Sequence, residues 1–205
     1  MRFAELEHAD VAVWGYGREG RSVLAALRRR FPGKALTLYR GRDETEAARP
    51  QGEASLHVID DAPDASALSA HDVVIKSPGI SAYKPEIIAA RERGTRFTSG
   101  TALWFGENPD ARVVAVTGTK GKSTTTALIV HLVRALRIRT ALAGNIGLPL
   151  LDLDGQRADL WAIELSSFQT GEAGPLELGV VVSLAEEHLD WHGTRERYVA
   201  DKLKL

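Results

Sequence analysis

The run Val113-Val114-Ala115-Val116 ends in Thr117-Gly118-Thr119-Lys120-Gly121-Lys122-Ser123-Thr124, and no other stretch limits the fold so tightly. The apolar, mostly β-branched residues call for a buried strand. The glycines let the backbone turn sharply, and Lys122-Ser123-Thr124 opens a pattern of helical spacing. Strand, glycine loop and helix start aim backbone N–H groups and the positive end of a helix dipole at one point, so the stretch reads as a cradle for phosphate. In such a cradle Lys122 reaches the outer phosphates and the Ser123 hydroxyl ligates Mg²⁺. The spacing departs from the common G-x-x-x-x-G-K-[ST]: Gly118 to Ser123 is two residues shorter, and Val116 stands where the first glycine belongs. The physical requirement is a buried strand followed by small residues, which Thr117 to Lys122 supply.

A chain of 205 residues, 44% hydrophobic and 26% charged, can build two modest domains. A formal net charge of −1 with no basic block gives no electrostatic footprint for nucleic acid or for an anionic membrane. Without cysteine there is no disulfide, thiol chemistry or thiolate metal site, which points to a reducing compartment. Met1 to His8 lacks the apolar region of a signal peptide, and no run approaches the ~20 apolar residues that span a bilayer. The expected location is the cytoplasm.

The first hundred residues repeat the central logic. Val11-Ala12-Val13-Trp14 runs into Gly15-Tyr16-Gly17-Arg18-Glu19-Gly20, and the helical stretch from Ser22 to Phe31 turns Val23, Leu24 and Leu27 inward. A dinucleotide fold would place an acidic residue after the second strand, roughly 20 residues on, for a ribose hydroxyl. That strand, Ala35 to Tyr39, ends instead in Tyr39-Arg40-Gly41-Arg42. NAD is thereby disfavoured, while Arg40 and Arg42 suit the 2′-phosphate of NADP or another nucleotide's phosphates. A low-hydrophobicity connection over 43–53 leads to strands at Leu56–Ile59 and Asp72–Lys76. The second of these runs into Ser77-Pro78-Gly79-Ile80-Ser81, the strand edge where ligands sit in open α/β sheets. A helix from Pro85 to Arg93, a strand Arg96-Phe97-Thr98 and Thr101 to Phe105 complete an alternating βα unit, and Glu107-Asn108-Pro109-Asp110 is the natural break.

The second half continues in the same α/β manner. A helix from Lys122 to Leu136 carries Leu128, Ile129, Leu132, Val133 and Leu136 at spacings that predict core packing. Strands follow at Arg139–Ala143, ending at Gly144-Asn145-Ile146-Gly147, at Leu160–Ser167, and at Leu178–Val182 before Ser183-Leu184-Ala185-Glu186-Glu187-His188-Leu189-Asp190. Glu164 lies where P-loop enzymes put the acid that completes a Mg²⁺ shell, although carboxylates there also serve as caps or salt-bridge partners. His188, in an acidic loop, reads either as a solvated histidine or as a metal ligand. Tyr198 and Lys202, four apart in a helix starting near Thr194, share a face that Arg195 and Arg197 do not obviously join.

Taken together these residues resemble the Mur ligase family, and within it the branch that adds glutamate to UDP-N-acetylmuramoyl-L-alanine in peptidoglycan precursor synthesis. The resemblance covers nearly the whole chain. It rests on Thr117 to Thr124, Gly144-Asn145-Ile146-Gly147, Glu164-Leu165-Ser166-Ser167-Phe168-Gln169, Glu187-His188-Leu189-Asp190, Tyr198-Val199-Ala200-Asp201-Lys202-Leu203 and Ser77-Pro78-Gly79-Ile80. It implies a Rossmann-like domain over 1–108 that binds UDP rather than NAD, followed over 109–205 by the N-terminal part of a P-loop-type α/β domain that binds MgATP. Gly17, Arg18, Glu19, Arg40 and Ser77 fall at its uridine diphosphate contacts, and Asn145 and Gln169 at further substrate contacts. Gly118, Thr119, Lys120, Gly121, Lys122, Ser123 and Thr124 fall at its ATP-binding loop. Ser123, Glu164, His188 and Lys202 fall around two Mg²⁺ ions, with Lys122, His188 and Lys202 catalytic. Lys202 matches a lysine the family carbamylates, which makes sense because an ammonium cannot ligate a cation whereas its CO₂ adduct can.

The implied reaction is ADP-forming. The alanyl carboxylate attacks the γ-phosphate of ATP, and the glutamate amine then displaces phosphate from the acyl phosphate. Such an enzyme serves cell-wall biogenesis, shape and division, and is expected to be a cytoplasmic monomer without nucleic-acid or membrane partners. Three residues depart from the family pattern: Tyr39 stands where an Asp near the uracil is common, and Ser183 and Glu187 replace the usual Asn and Asp. With the segments Trp14 to Gly20 and Leu189 to Gly193, these look more like the sister group that adds L-glutamate. The family's middle domain runs past its carbamylated lysine, and a third domain holds glutamate, so this chain is expected to be an N-terminal fragment, inactive alone. A non-catalytic nucleotide-binding module and an NADP-dependent oxidoreductase are the alternatives from other classes, and the second leaves the loop around Lys122 unexplained.

Overall fold

A computed structural model describes residues 1–41 and 55–205; the expected connection at 43–53 and Arg42 lie outside the described residues. The chain forms two compact units, Met1–Leu103 and Trp104–Leu205. Among the described residues no helix is long and apolar enough to cross a membrane.

The first unit holds five parallel strands: β1 (Val11–Trp14), β2 (Leu36–Tyr39), β3 (Leu56–Ile59), β4 (Val73–Lys76) and β5 (Arg96–Thr98). Their order is β3-β2-β1-β4-β5, the doubly wound arrangement in which ligands meet the carboxyl edge where the winding reverses. Helix α1 (Arg18–Arg30) starts at Gly17, earlier than the sequence pattern suggests, and buries Val23, Leu24 and Leu27 as expected. Helix α2 (Ala65–Ser69) is capped by Asp64, whose carboxylate accepts from Ala67 N at 2.8 Å. Pro85 opens α3 (Pro85–Glu92), and Gly94, at φ +103°, lets the chain leave it.

Apolar packing inside this unit joins Ala12, Trp14, Tyr39, Leu68, Val74, Ile87 and Ala90. Tyr39 is 4% exposed. Its hydroxyl lies 3.0 Å from Nε2 of His71, whose Nδ1 lies 2.6 Å from Asp10 Oδ1. Its ring therefore fills core between sheet and helices. Tyr39 is the last residue of β2, and its large ring stabilises the unit by its burial there.

The second unit opens with α4 (Gly100–Glu107), which the boundary at Leu103–Trp104 cuts. The sequence placed the break in the following turn, at Glu107 to Asp110. The unit begins earlier because Trp104, 1% exposed, packs edge-on against Trp161 with ring centroids 4.7 Å apart. Four parallel strands follow, β6 (Val113–Thr117), β7 (Thr140–Gly144), β8 (Leu160–Glu164) and β9 (Leu178–Val181), in the order β7-β8-β6-β9. Helix α5 (Lys122–Ala135) joins β6 to β7, and α6 (Leu189–His192) and α7 (Arg195–Lys202) end the chain.

One expectation fails on α5. Leu128, Leu132 and Leu136 are 53%, 55% and 73% exposed, not core. The helix buries Thr126 and Val130. The apolar residues cover two adjacent stripes, and the sheet takes only the one centred on Thr126 and Val130; periodicity alone cannot say which.

Gly20, inside α1, and Gly33, beyond its end, differ in what they permit. A Cβ on Gly20 would lie 1.9 Å from the Gly15 carbonyl oxygen, whereas one on Gly33 meets nothing within 4 Å. Gly20→Ala is therefore expected to destabilise the first unit by about 2–4 kcal/mol despite alanine's better helix propensity. Gly33→Ala should change stability by less than about 0.5 kcal/mol. Urea unfolding of both variants followed by far-ultraviolet circular dichroism measures the difference.

Candidate functional site

Register brings the chemistry of the second unit to one edge. Val116 pairs with Glu164, Thr117 with Val181 and Gly144 with Glu164, so the ends of all four strands present their loops side by side. Beyond β6 the chain turns through Gly118, at φ +153°, where a Cβ would come 2.4 Å from Val182 Cγ2. Gly121, in the left-handed region at φ 85°, then starts α5 with no side-chain cap. The N–H groups at a helix start lack partners of their own and attract anions. Two loop donors are already committed: Thr119 N donates to Ser183 O at 3.0 Å, and Lys120 N to Ser183 Oγ at 2.9 Å. The donors facing a phosphate are those of the α5 start, from Lys122 onward.

Charged and polar side chains gather around this loop. Lys122 Nζ donates to Thr119 O at 2.9 Å, folding back on its own loop. Glu164 is 1% exposed; its Oε1 accepts from Asn145 Nδ2 at 2.9 Å, while Oε2 is buried with no partner, as is Thr117 Oγ1. A buried carboxylate oxygen without a donor is costly unless a cation or proton completes it. Lys202, 2% exposed, donates to Gly118 O at 2.9 Å. Tyr198 shares its inward face, as the spacing predicts, and its hydroxyl lies 2.6 Å from Thr119 Oγ1. The loop and α7 are thus joined at two points.

Burial acts first on these groups. It pulls the Lys202 ammonium down to about 8, the Lys122 charge adding to the fall and Glu187 opposing it. Burial also pushes the Tyr198 phenol up. Lys120 and Glu187 form an ion pair at 2.8 Å, and its hydrogen bond holds the Glu187 carboxyl below its usual value.

Other residues singled out by sequence stand apart. His188 takes the left-handed conformation at φ 57°, with its side chain 53% exposed and Nε2 4.0 Å from Glu187 Oε2. Among the described residues no three His, Asp or Glu side chains form a group ready to hold a metal. Gln169 is 2% exposed, and its Oε1 accepts from Ser166 Oγ at 2.9 Å. Ser123 is exposed at the first turn of α5.

In the first unit, Gly15 (φ +97°) leads to Gly17, the residue before α1, with Arg18 and Glu19 in its first turn. Ser77 Oγ is buried without a partner. Arg40 is 2% exposed and paired through Nε with Asp60, while its Nη1 has no partner. A buried guanidinium with a free edge suits an anionic or carbonyl-rich ligand.

Three residues escaped the sequence reading. His192, fully buried, lies between Asp201 and Ser167. Their spacing carries no signal of the meeting, because the three lie on separate segments.

Residues 116–205 match the model of the Mur ligase middle domain. The whole chain is 50% identical over 216 aligned residues to a protein of Xanthomonas oryzae pv. oryzae named UDP-N-acetylmuramoyl-L-alanine--L-glutamate ligase. A protein of the same name from Micromonospora sp. is 40% identical over 208. The chain spans 46% and 45% of these relatives' lengths. Among solved structures, the Neisseria meningitides UDP-N-acetylmuramate:L-alanyl-gamma-D-glutamyl-meso-diaminopimelate ligase aligns with a TM-score of 0.51 at 17% identity, covering 96% of this chain and 67% of that one; the likeness shows the fold.

The depressed Lys202 value makes stability depend on pH. Between about 8 and the usual lysine value the unfolded chain holds a proton that the folded chain has lost, so stability rises with pH. Below about 8 both forms are protonated and the cost of the buried charge is complete. Raising pH from 7 to 9 is expected to stabilise the wild type relative to Lys202→Met by about 1 kcal/mol, read from urea unfolding of both proteins.

Proposed function

We propose, from the match of residues 116–205 to the Mur ligase middle domain, that the protein to which this chain belongs joins glutamate, as the L-enantiomer, to UDP-N-acetylmuramoyl-L-alanine with cleavage of ATP to ADP. The observation that carries the proposal is the meeting at one sheet edge of an uncapped α5 start, the folded-back Lys122, the half-satisfied Glu164 and the desolvated Lys202. The preference for L-glutamate is supported by the names of the relatives, the Xanthomonas protein above all.

In this reading the triphosphate lies against the first turn of α5. Lys122 leaves the Thr119 carbonyl for a phosphate oxygen, and its charge with the helix N–H groups offsets the repulsion between the attacking carboxylate and the γ-phosphate. The products of that step are an acyl phosphate and ADP; the glutamate amine then attacks the acyl carbon and phosphate leaves. Mg²⁺ would neutralise phosphate charge and polarise the transferred group. The donor set fits it: Glu164 Oε2 is an orphaned buried oxygen, and Ser123, His188 and Lys202 are the further ligands proposed.

Lys202 becomes an oxygen ligand by adding CO₂, its neutral amine giving a carbamate with release of one proton. Only the neutral amine reacts, so an ammonium brought down to about 8 is far better prepared than an ordinary lysine. Glu187 exerts the one attraction that opposes the shift. In the first unit, Gly17, Arg18, Glu19, Arg40 and Ser77 are proposed to hold the uridine diphosphate, with Arg40 Nη1 and Ser77 Oγ supplying donors the protein leaves unused. Asn145 and Gln169 are proposed contacts for the acyl end of the substrate.

The test uses the full-length protein. ADP release is expected to require both UDP-N-acetylmuramoyl-L-alanine and L-glutamate, with D-glutamate inactive. Lys122→Ala should lower kcat by about 10²–10³-fold. Nucleotide binding without glutamate-dependent ADP release would instead mark a binding module. For Lys202, a carbamate carbon signal in [¹³C]bicarbonate should appear in the wild type, be absent from Lys202→Met, and grow as pH rises through 8 at constant dissolved CO₂.

A further inference from the structure

Asp201 and Lys202 are adjacent on α7 and face different neighbours. Lys202 meets the phosphate loop; Asp201, 5% exposed, turns to the segment after β8. Asp201 Oδ2 lies 2.7 Å from His192 Nδ1, and His192 Nε2 lies 2.9 Å from Ser167 Oγ. The Asp201 backbone carbonyl accepts from Thr170 Oγ1 at 2.6 Å, and Lys204 Nζ holds Oδ1 at 2.6 Å. Both imidazole nitrogens are engaged: Nδ1–H donates to the carboxylate, and in the neutral form Nε2 accepts the serine hydroxyl proton. Burial pulls the imidazole below its usual value even beside Asp201, in keeping with that neutral form. Aromatic rings close the group in, with Tyr198 5.3 Å from the imidazole centroid and Phe168 stacked 4.7 Å from Trp191.

The order serine, imidazole, carboxylate is that of a hydrolase triad, yet Ser167 is 4% exposed and has no face open to a substrate. We propose that Ser167, His192 and Asp201 are positioning residues: a bracket that ties α7 to the β8 segment and thereby sets Lys202 against the Gly118 carbonyl. The geometry explains why an ammonium stays in so buried a place. Tyr198 and Lys202 anchor one side of α7 to the loop, and without a second anchor on another side the helix could rotate and release the amine to water. The inference rests on Lys202 acting at the phosphate site, as proposed above.

Amine labelling tests it on the purified 205-residue chain. A pulse of acetic anhydride at fixed pH, followed by peptide mass spectrometry, gives the acetylation rates of Lys202 and Lys122, with urea unfolding run in parallel. Ser167→Ala removes one arm of the bracket and little volume. It is expected to raise the Lys202 rate about fivefold relative to Lys122 with a nearly unchanged unfolding midpoint. His192→Ala should raise it further, and His192→Gln, which can bridge one of the two partners, should restore part of the protection.

An unchanged Lys202 rate in Ser167→Ala, or a rise shared equally by Lys122 through opening of the whole unit, would overturn the bracket. The two proposals fail separately. A full-length protein that makes no ADP removes the ligase reading and leaves the labelling result intact, whereas unaltered labelling removes the bracket alone.

Discussion

The Gly118 carbonyl receives the Lys202 ammonium across 84 residues of chain, and the second unit's site depends on that bond. A glycine loop between a strand and a helix has few side chains with which to hold its own shape. Here the shape is imposed from outside. Val182 closes over Gly118, Ser183 takes the Thr119 and Lys120 amides, and Tyr198 meets Thr119. Because so much of the loop's polar capacity is spent inward, the donors left for an anion are concentrated at the start of α5. Preorganisation of that kind lets fixed dipoles stabilise charge without first moving.

Both units use one device, a buried parallel strand that breaks into glycine and enters a helix, and they differ in what presses on the turn. In the first unit the pressure is close: a Cβ on Gly15 would come 2.5 Å from Ser77 Oγ, and one on Gly20 would strike the Gly15 carbonyl. Helix α1 therefore lies tight on β1, where a backbone can approach a diphosphate. In the second unit the turn is clamped by the segment after β9, and it leads into a lysine and a serine hydroxyl at the start of α5. One sheet edge suits a small anionic group held by backbone, the other a highly charged one held by side chains.

Local pattern made most of the architecture legible. Alternation of apolar runs with glycine turns located the described strands to within a few residues; Lys122 and Glu164 stood out by their places at strand ends, whereas Lys202 was singled out only by the family resemblance. Burial on a particular face was less accessible. The leucines at 128, 132 and 136 satisfy helical periodicity as well as Val130 does, and only the width of the sheet beneath decides between them. Tyr39 ends β2 at the sheet's carboxyl edge, yet its side chain turns into the core toward His71, a direction that its place in the sequence does not announce. The His192 bracket was invisible for another reason: its members lie on three separate segments, and nothing in their spacing announces a meeting.

Ser183 and Glu187, the two departures ahead of His188, become intelligible through Lys120. Ser183 Oγ accepts from the Lys120 amide and donates to its carbonyl at 3.0 Å, holding that residue by its backbone alone. The side chain is left free to extend, and its ammonium meets Glu187. A lysine inside a phosphate loop adds positive charge beside Lys122, and the Glu187 carboxylate balances it locally. The longer reach of glutamate over aspartate matters, since Lys120 is 84% exposed along its side chain and must be met away from the loop. Exposed pairs of this type contribute little to stability, so the pair's effect is on the local charge beside the loop. With Glu187 engaged, the unbalanced positive charge at the start of α5 is chiefly that of Lys122.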